Sequence, residues 1–300
     1  MSKALVKPVL LIDGDILCYR AASATDGRLY EVKYKMETKA AGATTITVME
    51  RFKKDADKVR EKAGENFISL EQTWDPEPRQ NAFKIMEDML ISLERNLEKH
   101  IGGPVGEKKI FLSRGGSFRE KECPTYKSNR EDMRRPANLE FCKDYLMKKY
   151  GASCDVGQYE ADDLLAMNAG DNTIICSVDK DLLQVPGSHY NFVKDIFMEI
   201  DELTGWYNFY SQLLTGDTSD GIVGIHGVGP ARAKKILTGL QTPFLMYCAV
   251  LREYLLKTPR EEGEPDDEFY GRVSEIVHKN AHLLYLLRKP GERWEEPVWA

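Results

Sequence analysis

Val9-Leu10-Leu11-Ile12-Asp13-Gly14-Asp15 is a short apolar run that stops abruptly at two carboxylates flanking a glycine. Four apolar residues in a row, with no polar alternation, describe a strand buried on both faces. Strands of this kind occur in parallel sheets covered by helices. Two more follow, Lys109-Ile110-Phe111-Leu112 and Thr173-Ile174-Ile175-Cys176-Ser177. Helical patterns cover residues 16–24, 80–100 and 137–150, and an acidic helix starts near Gln158. A short edge strand is expected near Ser153, with weaker strands at Tyr190–Val193 and Ile196–Ile200. Strands alternating with helices predict an α/β core around a mainly parallel sheet.

The pattern changes between Asp26 and Pro78. Alternation over residues 29–35 and 44–48 predicts a hairpin, and residues 49–62 a charged helix, so residues 26–78 read as an insertion. From Leu203 the chain is helical, broken at Gly216 and over residues 221–230 and 258–265, and the tail after Pro290 carries few core signals. The expected division is an α/β core over residues 1–202 and a helical domain over residues 203–300.

The 300 residues carry 42 Lys and Arg against 48 Asp and Glu, a net charge of −6. Taken whole, that balance argues against a nucleic-acid partner. The acids cluster, however, and between Arg114 and Arg135 seven Lys and Arg face four acids. No apolar run is long enough to span a bilayer, and no N-terminal signal pattern is seen, so no membrane partner and a cytoplasmic location are expected. The six cysteines include no CxxC pair, which argues against a zinc site and a disulfide framework.

Three acid clusters carry the chemistry. Gly157-Gln158-Tyr159-Glu160-Ala161-Asp162-Asp163 places three carboxylates in four positions, and Asp179/Asp181 and Asp217/Asp220 follow. Carboxylates this close repel and resist desolvation, so their ionisation calls for a cation. In an open parallel sheet, sites form outside the carboxyl ends of strands, where Asp13, Asp179 and Asp181 would stand. Each cluster has a plainer explanation alone: acids suit a first helical turn, Asp-Gly suits a turn, and Asp217 could cap a helix. These three clusters and the Asp13-Gly14-Asp15 strand end, four acidic groups at the right ends of elements, favour a metal, and oxygen ligands without His or Cys favour Mg²⁺ or Mn²⁺.

Gly224-Ile225-His226-Gly227-Val228-Gly229-Pro230-Ala231-Arg232-Ala233-Lys234-Lys235-Ile236-Leu237 has the form of a helix–hairpin–helix turn. Gly224, Gly227 and Gly229 would let backbone amides approach a phosphate at a helix start, and Arg232, Lys234 and Lys235 add charge. That is backbone recognition without base readout. A plain glycine-rich connection between helices is the alternative.

Together these residues resemble the 5′-nuclease, or flap endonuclease, family, which includes phage 5′→3′ exonucleases and the nuclease domain of bacterial DNA polymerase I. The resemblance rests on Leu11-Ile12-Asp13-Gly14-Asp15, Phe118-Arg119, Tyr126-Lys127-Ser128-Asn129-Arg130, Glu160-Ala161-Asp162-Asp163, Ser177-Val178-Asp179-Lys180-Asp181 and Gly216-Asp217-Thr218-Ser219-Asp220-Gly221, running into the hairpin. They span residues 11–237 in the family's order, and the size resembles a phage replication exonuclease most.

The resemblance implies a PIN-like core, a helical arch with its base at residues 114–136, and a helix–three-turn–helix at residues 216–237. By the family pattern Asp13, Glu160 and Asp162 would hold one divalent ion. Asp179, Asp181, Asp217 and Asp220 would serve a second, with Asp163 bridging or supporting. Lys127 and Arg130 would face the scissile phosphate beside Arg119 and Tyr126, and a K⁺ ion would sit at the hairpin. The implied activity is hydrolysis of DNA from 5′ ends or at 5′ flaps, in phage-type replication and recombination. RNA–DNA hybrids are a further substrate, the protein acting as a monomer in a host bacterial cytoplasm. One departure stands out: Leu112 occupies a position where the family commonly has an Asp. Rival readings are a PIN-type ribonuclease and a DNA-junction binder whose catalysis has decayed.

Overall fold

A computed structural model of the chain describes residues 7–38, 42–130 and 132–298. The first elements are β1 (Val9–Asp13), α1 (Gly14–Ala24), β2 (Asp26–Thr38), β3 (Gly42–Glu50), α2 (Lys53–Ala63), β4 (Phe67–Pro76) and α3 (Arg79–Ile101). Next come β5 (Lys108–Arg114), α4 (Phe118–Glu122), α5 (Leu139–Tyr150), β6 (Ser153–Val156), α6 (Ala161–Asn168) and β7 (Thr173–Cys176). The chain continues through β8 (Gly187–Asn191), β9 (Ile196–Ile200), α7 (Glu202–Thr215), β10 (Gly216–Asp217) and β11 (Ile222–Val223). It closes with α8 (Pro230–Leu237), α9 (Pro243–Lys257) and α10 (Asp266–Leu284).

Two compact units result. One holds the residues up to Ile16, Ile91–Arg134 and the chain from Leu146 onward; the other holds Leu17–Leu90 and Arg135–Tyr145. This corrects the expected boundary between residues 202 and 203. Helices α7 to α10 share a core with Phe118, Tyr126 and Tyr159, so they belong to the same unit as the sheet.

The large unit is built on a six-stranded sheet of order β6-β5-β1-β7-β8-β9, parallel except for β9 against β8. Leu10, Leu11 and Ile12 are fully buried, as an apolar strand between two neighbours must be. From β1 the chain builds outward to β5 and β6, then returns to add β7 and β8 on the other side. The order therefore reverses beside β1, and a crevice opens at the carboxyl ends of β1 and β7. Gly14 is obligatory at that edge: a Cβ there would lie 2.8 Å from Ile110, Leu112 and the Phe111 carbonyl.

The smaller unit carries an antiparallel sheet of order β3-β2-β4, with Val32 paired to Val48 and Leu70. Helix α2 packs on it through Ala56, and Val32 lies beneath. The third strand, β4, adds to the expected hairpin. The charged helix starts at Lys53 rather than Met49, because Met49 still pairs with Glu31 in the sheet.

Residues 114–136 are largely loop, as their basic, loop-like pattern suggests, and among the described residues they hold the five-residue α4 and a single 3₁₀ turn at Ser128–Arg130. One further expectation changes. The tail after Pro290 does reach a core: Trp294 is 3% exposed and packs near Phe209, Tyr247 and His278.

Candidate active site

Asp13 ends β1 and is 3% exposed. One of its oxygens accepts from the Ile16 amide at 3.1 Å, the other from Ser177 Oγ at 2.7 Å. Ser177 follows β7 and also accepts from the Asp179 amide at 3.0 Å, so one hydroxyl ties the acid that ends β1 to the loop that carries Asp179 beyond β7. Asp179 Oδ1 in turn accepts from the Asp181 amide at 2.9 Å. Helix α6 is placed by Ser113 at the end of β5, whose hydroxyl accepts from the Ala161 amide at 2.9 Å.

These acids feel one another's charge. Burial pushes Asp13 up to about 7, relieved by the Ser177 hydroxyl and reinforced by the charges of Asp15 and Asp179. Burial also lifts Asp162 well above the carboxylate range, with Asp13, Asp179 and Glu160 adding to the effect and Lys127 opposing it. Asp181 rises to about 6, through burial and then Asp179. Desolvation plus like charge is the pattern expected of carboxylates awaiting a cation. Asp217 differs. Although burial works against it, Ser219 and the Lys180 ammonium hold it down at about 2.

Carboxylate oxygens without thiolate or imidazole suit a hard divalent ion. Among the described residues, though, no three such side chains stand arranged to hold a metal directly. Ammonium groups are threaded between them instead. Lys127 Nζ lies 2.6 Å from Glu160, and Lys180 Nζ lies 2.9 Å from Asp181 and 3.3 Å from Asp217. The acids are thus met by the protein's own cations.

Three expectations for individual side chains are revised. Arg119 is 1% exposed, and its guanidinium grips Asp163 at 2.6 and 2.8 Å, so it cannot face a substrate phosphate. Asp163, fully buried, also accepts from the amides of Glu160 and Leu287, which leaves it a partner of Arg119 rather than a metal ligand. Asp220 points to the basic side: Tyr126 Oη is 2.9 Å away, Lys127 Nζ 3.8 Å, and Arg130 pairs with it. Tyr126 Oη is also 3.0 Å from Glu160.

The basic residues sit on a turn docked against the Asp217–Gly221 loop. The Lys127 amide donates to the Asp220 carbonyl at 2.9 Å, and Arg130 Nε to the Ser219 carbonyl at 2.9 Å. Lys127 adopts φ 57°, a left-handed conformation costly for a side chain with a Cβ and found where a site demands it. At the edge left by Leu112, itself fully buried, Asp15 Oδ2 accepts from the Ser113 amide at 2.9 Å. Ser177, Lys180 and Ser113 were not anticipated as site residues, although the first two lie inside the motif around Asp179.

At the hairpin, Gly224 serves packing rather than phosphate approach: a Cβ there would lie 2.2 Å from Gly216. Gly227 takes φ 76° and is exposed, and Gly229 caps α8 ahead of Pro230. Lys234 and Lys235 are exposed; Arg232 pairs with Glu253 at 3.2 Å.

Residues 80–208 match the family described as 5′-3′ exonuclease, N-terminal resolvase-like domain. Over 152 residues the chain is 33% identical to DNA polymerase I of Borreliella burgdorferi, covering 44% of this chain. The chain spans 17% of the length of that curated relative. Among solved structures, the T5 D15 protein of bacteriophage T5, co-crystallised with metal ions, is similar with a TM-score of 0.50 and 14% identity. That likeness covers 92% of this chain and 88% of the other, and is one of fold.

Proposed function

We propose that the chain is a member of the 5′-nuclease family, whose model residues 80–208 match, and that it is a divalent-metal-dependent 5′→3′ exonuclease and flap endonuclease. The observation that supports the reading is that Asp162, on α6, feels the charges of Asp13 at the end of β1, Asp179 beyond β7 and its neighbour Glu160. Lys127 stands beside it.

In this reading Asp13, Glu160, Asp162 and Asp179 hold one Mg²⁺ or Mn²⁺, and Asp181 and Asp217 serve a second. The bound ions would polarise the phosphodiester and make water a competent nucleophile near neutral pH. The chain's own residues do the rest. Lys127 and Arg130, tied to Glu160 and Asp220 in the free protein, turn to the phosphate and offset the charge that develops on it. Ser177 keeps Asp13 and Asp179 in register. Gly227, Gly229, Lys234 and Lys235 grip duplex backbone, with K⁺ at the hairpin turn.

The T5 D15 protein crystallises with metal ions, which supports this assignment of cofactor. Duplex DNA with 5′ ends or flaps is the proposed substrate, RNA–DNA hybrids a further one, and the protein acts as a monomer in the cytoplasm. Leu112, where the family commonly has an acid, is the one feature that favours a non-catalytic junction binder. A 5′-labelled duplex and a flap substrate, each with and without Mg²⁺, separate the two. Asp179→Ala should abolish Mg²⁺-dependent cleavage and spare DNA binding; full turnover in that variant refutes the proposal.

A further inference from the structure

The last two residues of α10, Leu283 and Leu284, and the non-helical stretch Tyr285–Arg288 that follows bond to both elements that carry the acids. The two edges of this segment bond different partners. On one edge, Arg119 donates to the Leu283 carbonyl at 2.8 Å and the Tyr285 carbonyl at 2.7 Å, and the Leu287 amide donates to Asp163 at 3.2 Å. On the other, Gln184 donates to the Leu284 carbonyl at 2.9 Å and accepts from the Leu286 amide at 3.1 Å. Arg288 closes that edge on the Gln184 carbonyl at 2.8 Å.

The last carbonyls of α10, which a helix leaves without partners, are satisfied by the same two side chains. Gln184 is 3% exposed, Asp163 fully buried and Leu287 1% exposed, so these bonds are shielded from water. Leu286 adds an apolar anchor among Leu165 of α6 and Leu182 and Val185 beside Gln184.

Asp163 sits one residue after Asp162, and Gln184 ends the 3₁₀ turn Asp181–Gln184 that starts two residues after Asp179. We propose that residues 283–288 form a strap that sets the spacing between the Glu160/Asp162 carboxylates and the Asp179/Asp181 carboxylates, with Gln184 and Asp163 as positioning residues for divalent-ion binding. The inference rests on the nuclease reading for its choice of cation. Its own content is mechanical: acids on two separate elements are held in register by a segment more than a hundred residues away along the chain.

The test uses the full chain with Gln184→Met, which keeps volume and removes both side-chain bonds to the strap. Calorimetric titration with Mn²⁺ in the absence of DNA should show affinity reduced by ~10-fold or more, the usual size of an outer-shell effect. Affinity for a duplex in EDTA should stay within about two-fold, since the hairpin is untouched. Wild-type protein gives a second readout: saturating Mn²⁺ should slow hydrogen exchange at the Leu286 and Leu287 amides, because ion and strap stabilise one arrangement. Unchanged Mn²⁺ affinity in Gln184→Met, or unchanged exchange at both amides, overturns the strap. If Asp179→Ala is inactive while Gln184→Met binds Mn²⁺ normally, only the strap fails; if Asp179→Ala still cleaves, the nuclease reading fails.

Discussion

Ser177 Oγ donates to Asp13 Oδ2 at 2.7 Å, joining the carboxyl ends of two adjacent parallel strands through one hydroxyl. The same oxygen accepts from the Asp179 amide, so removing it loosens two acids together. Ser177→Ala should weaken Mn²⁺ binding by roughly ten-fold and lower kcat/KM by a similar factor, in line with outer-shell ligand partners elsewhere. Fluorescence or calorimetric titration of the variant, paired with steady-state cleavage, measures both.

The buried acids also predict how the metal-free protein responds to pH. Asp13, Asp162 and Asp181 all hold protons in the folded state above the unfolded carboxylate value of 3.8, Asp13 to about 7 and Asp181 to about 6. Between about pH 4 and 7 the native state therefore binds more protons than the unfolded chain, and stability falls as pH rises through that window. Asp217 acts oppositely, its contribution being lost only as pH falls from 3.8 toward 2. Thermal unfolding in EDTA should show a falling melting temperature from about pH 5 to 8, with Mg²⁺ restoring most of the loss at the upper end.

Arg119→Ala should destabilise the fold by about 3–5 kcal/mol, since it strands the Asp163 carboxylate in a fully buried site. Arg119→Met with Asp163→Leu, which removes both charges, should recover much of that loss. Urea unfolding of the single and double variants distinguishes a buried ion pair from a surface one.

Much of this architecture was legible in the chain. β1, β5 and β7 announced themselves as unbroken apolar runs, and acids directly after such strands had to meet at one sheet edge. The position of Asp163 was not legible. Successive helical residues point about 100° apart, so Asp162 and Asp163 cannot serve the same pocket, yet the cluster reads as one unit in sequence. Nor was β4 foreseen, because Phe67 to Pro76 is half exposed and lacks a clean apolar face. The strap was hidden for a different reason: its hydrogen bonds run to backbone carbonyls and amides, which carry no residue signature. Trp294, in a polar tail, likewise finds its core through contacts far away in the chain.

At the hairpin, Lys234 and Lys235 are exposed on α8 and would neutralise phosphates. Replacing both with Ala should weaken duplex binding about equally for all sequences and reduce the salt slope by roughly one per lysine. Fluorescence anisotropy over a range of KCl concentrations reads the slope directly, and Arg232→Ala should change it less, given the Glu253 partner.

The central claim is that Asp13, Glu160, Asp162 and Asp179 form one cation-binding pocket. A crystal structure of the protein soaked in Mn²⁺, with anomalous data, tests it most directly. The account predicts an anomalous peak within ligating distance of oxygens from at least three of these four side chains, with Lys127 displaced from Glu160. Peaks confined to other surfaces, with Lys127 still paired to Glu160 at saturating Mn²⁺, would contradict it.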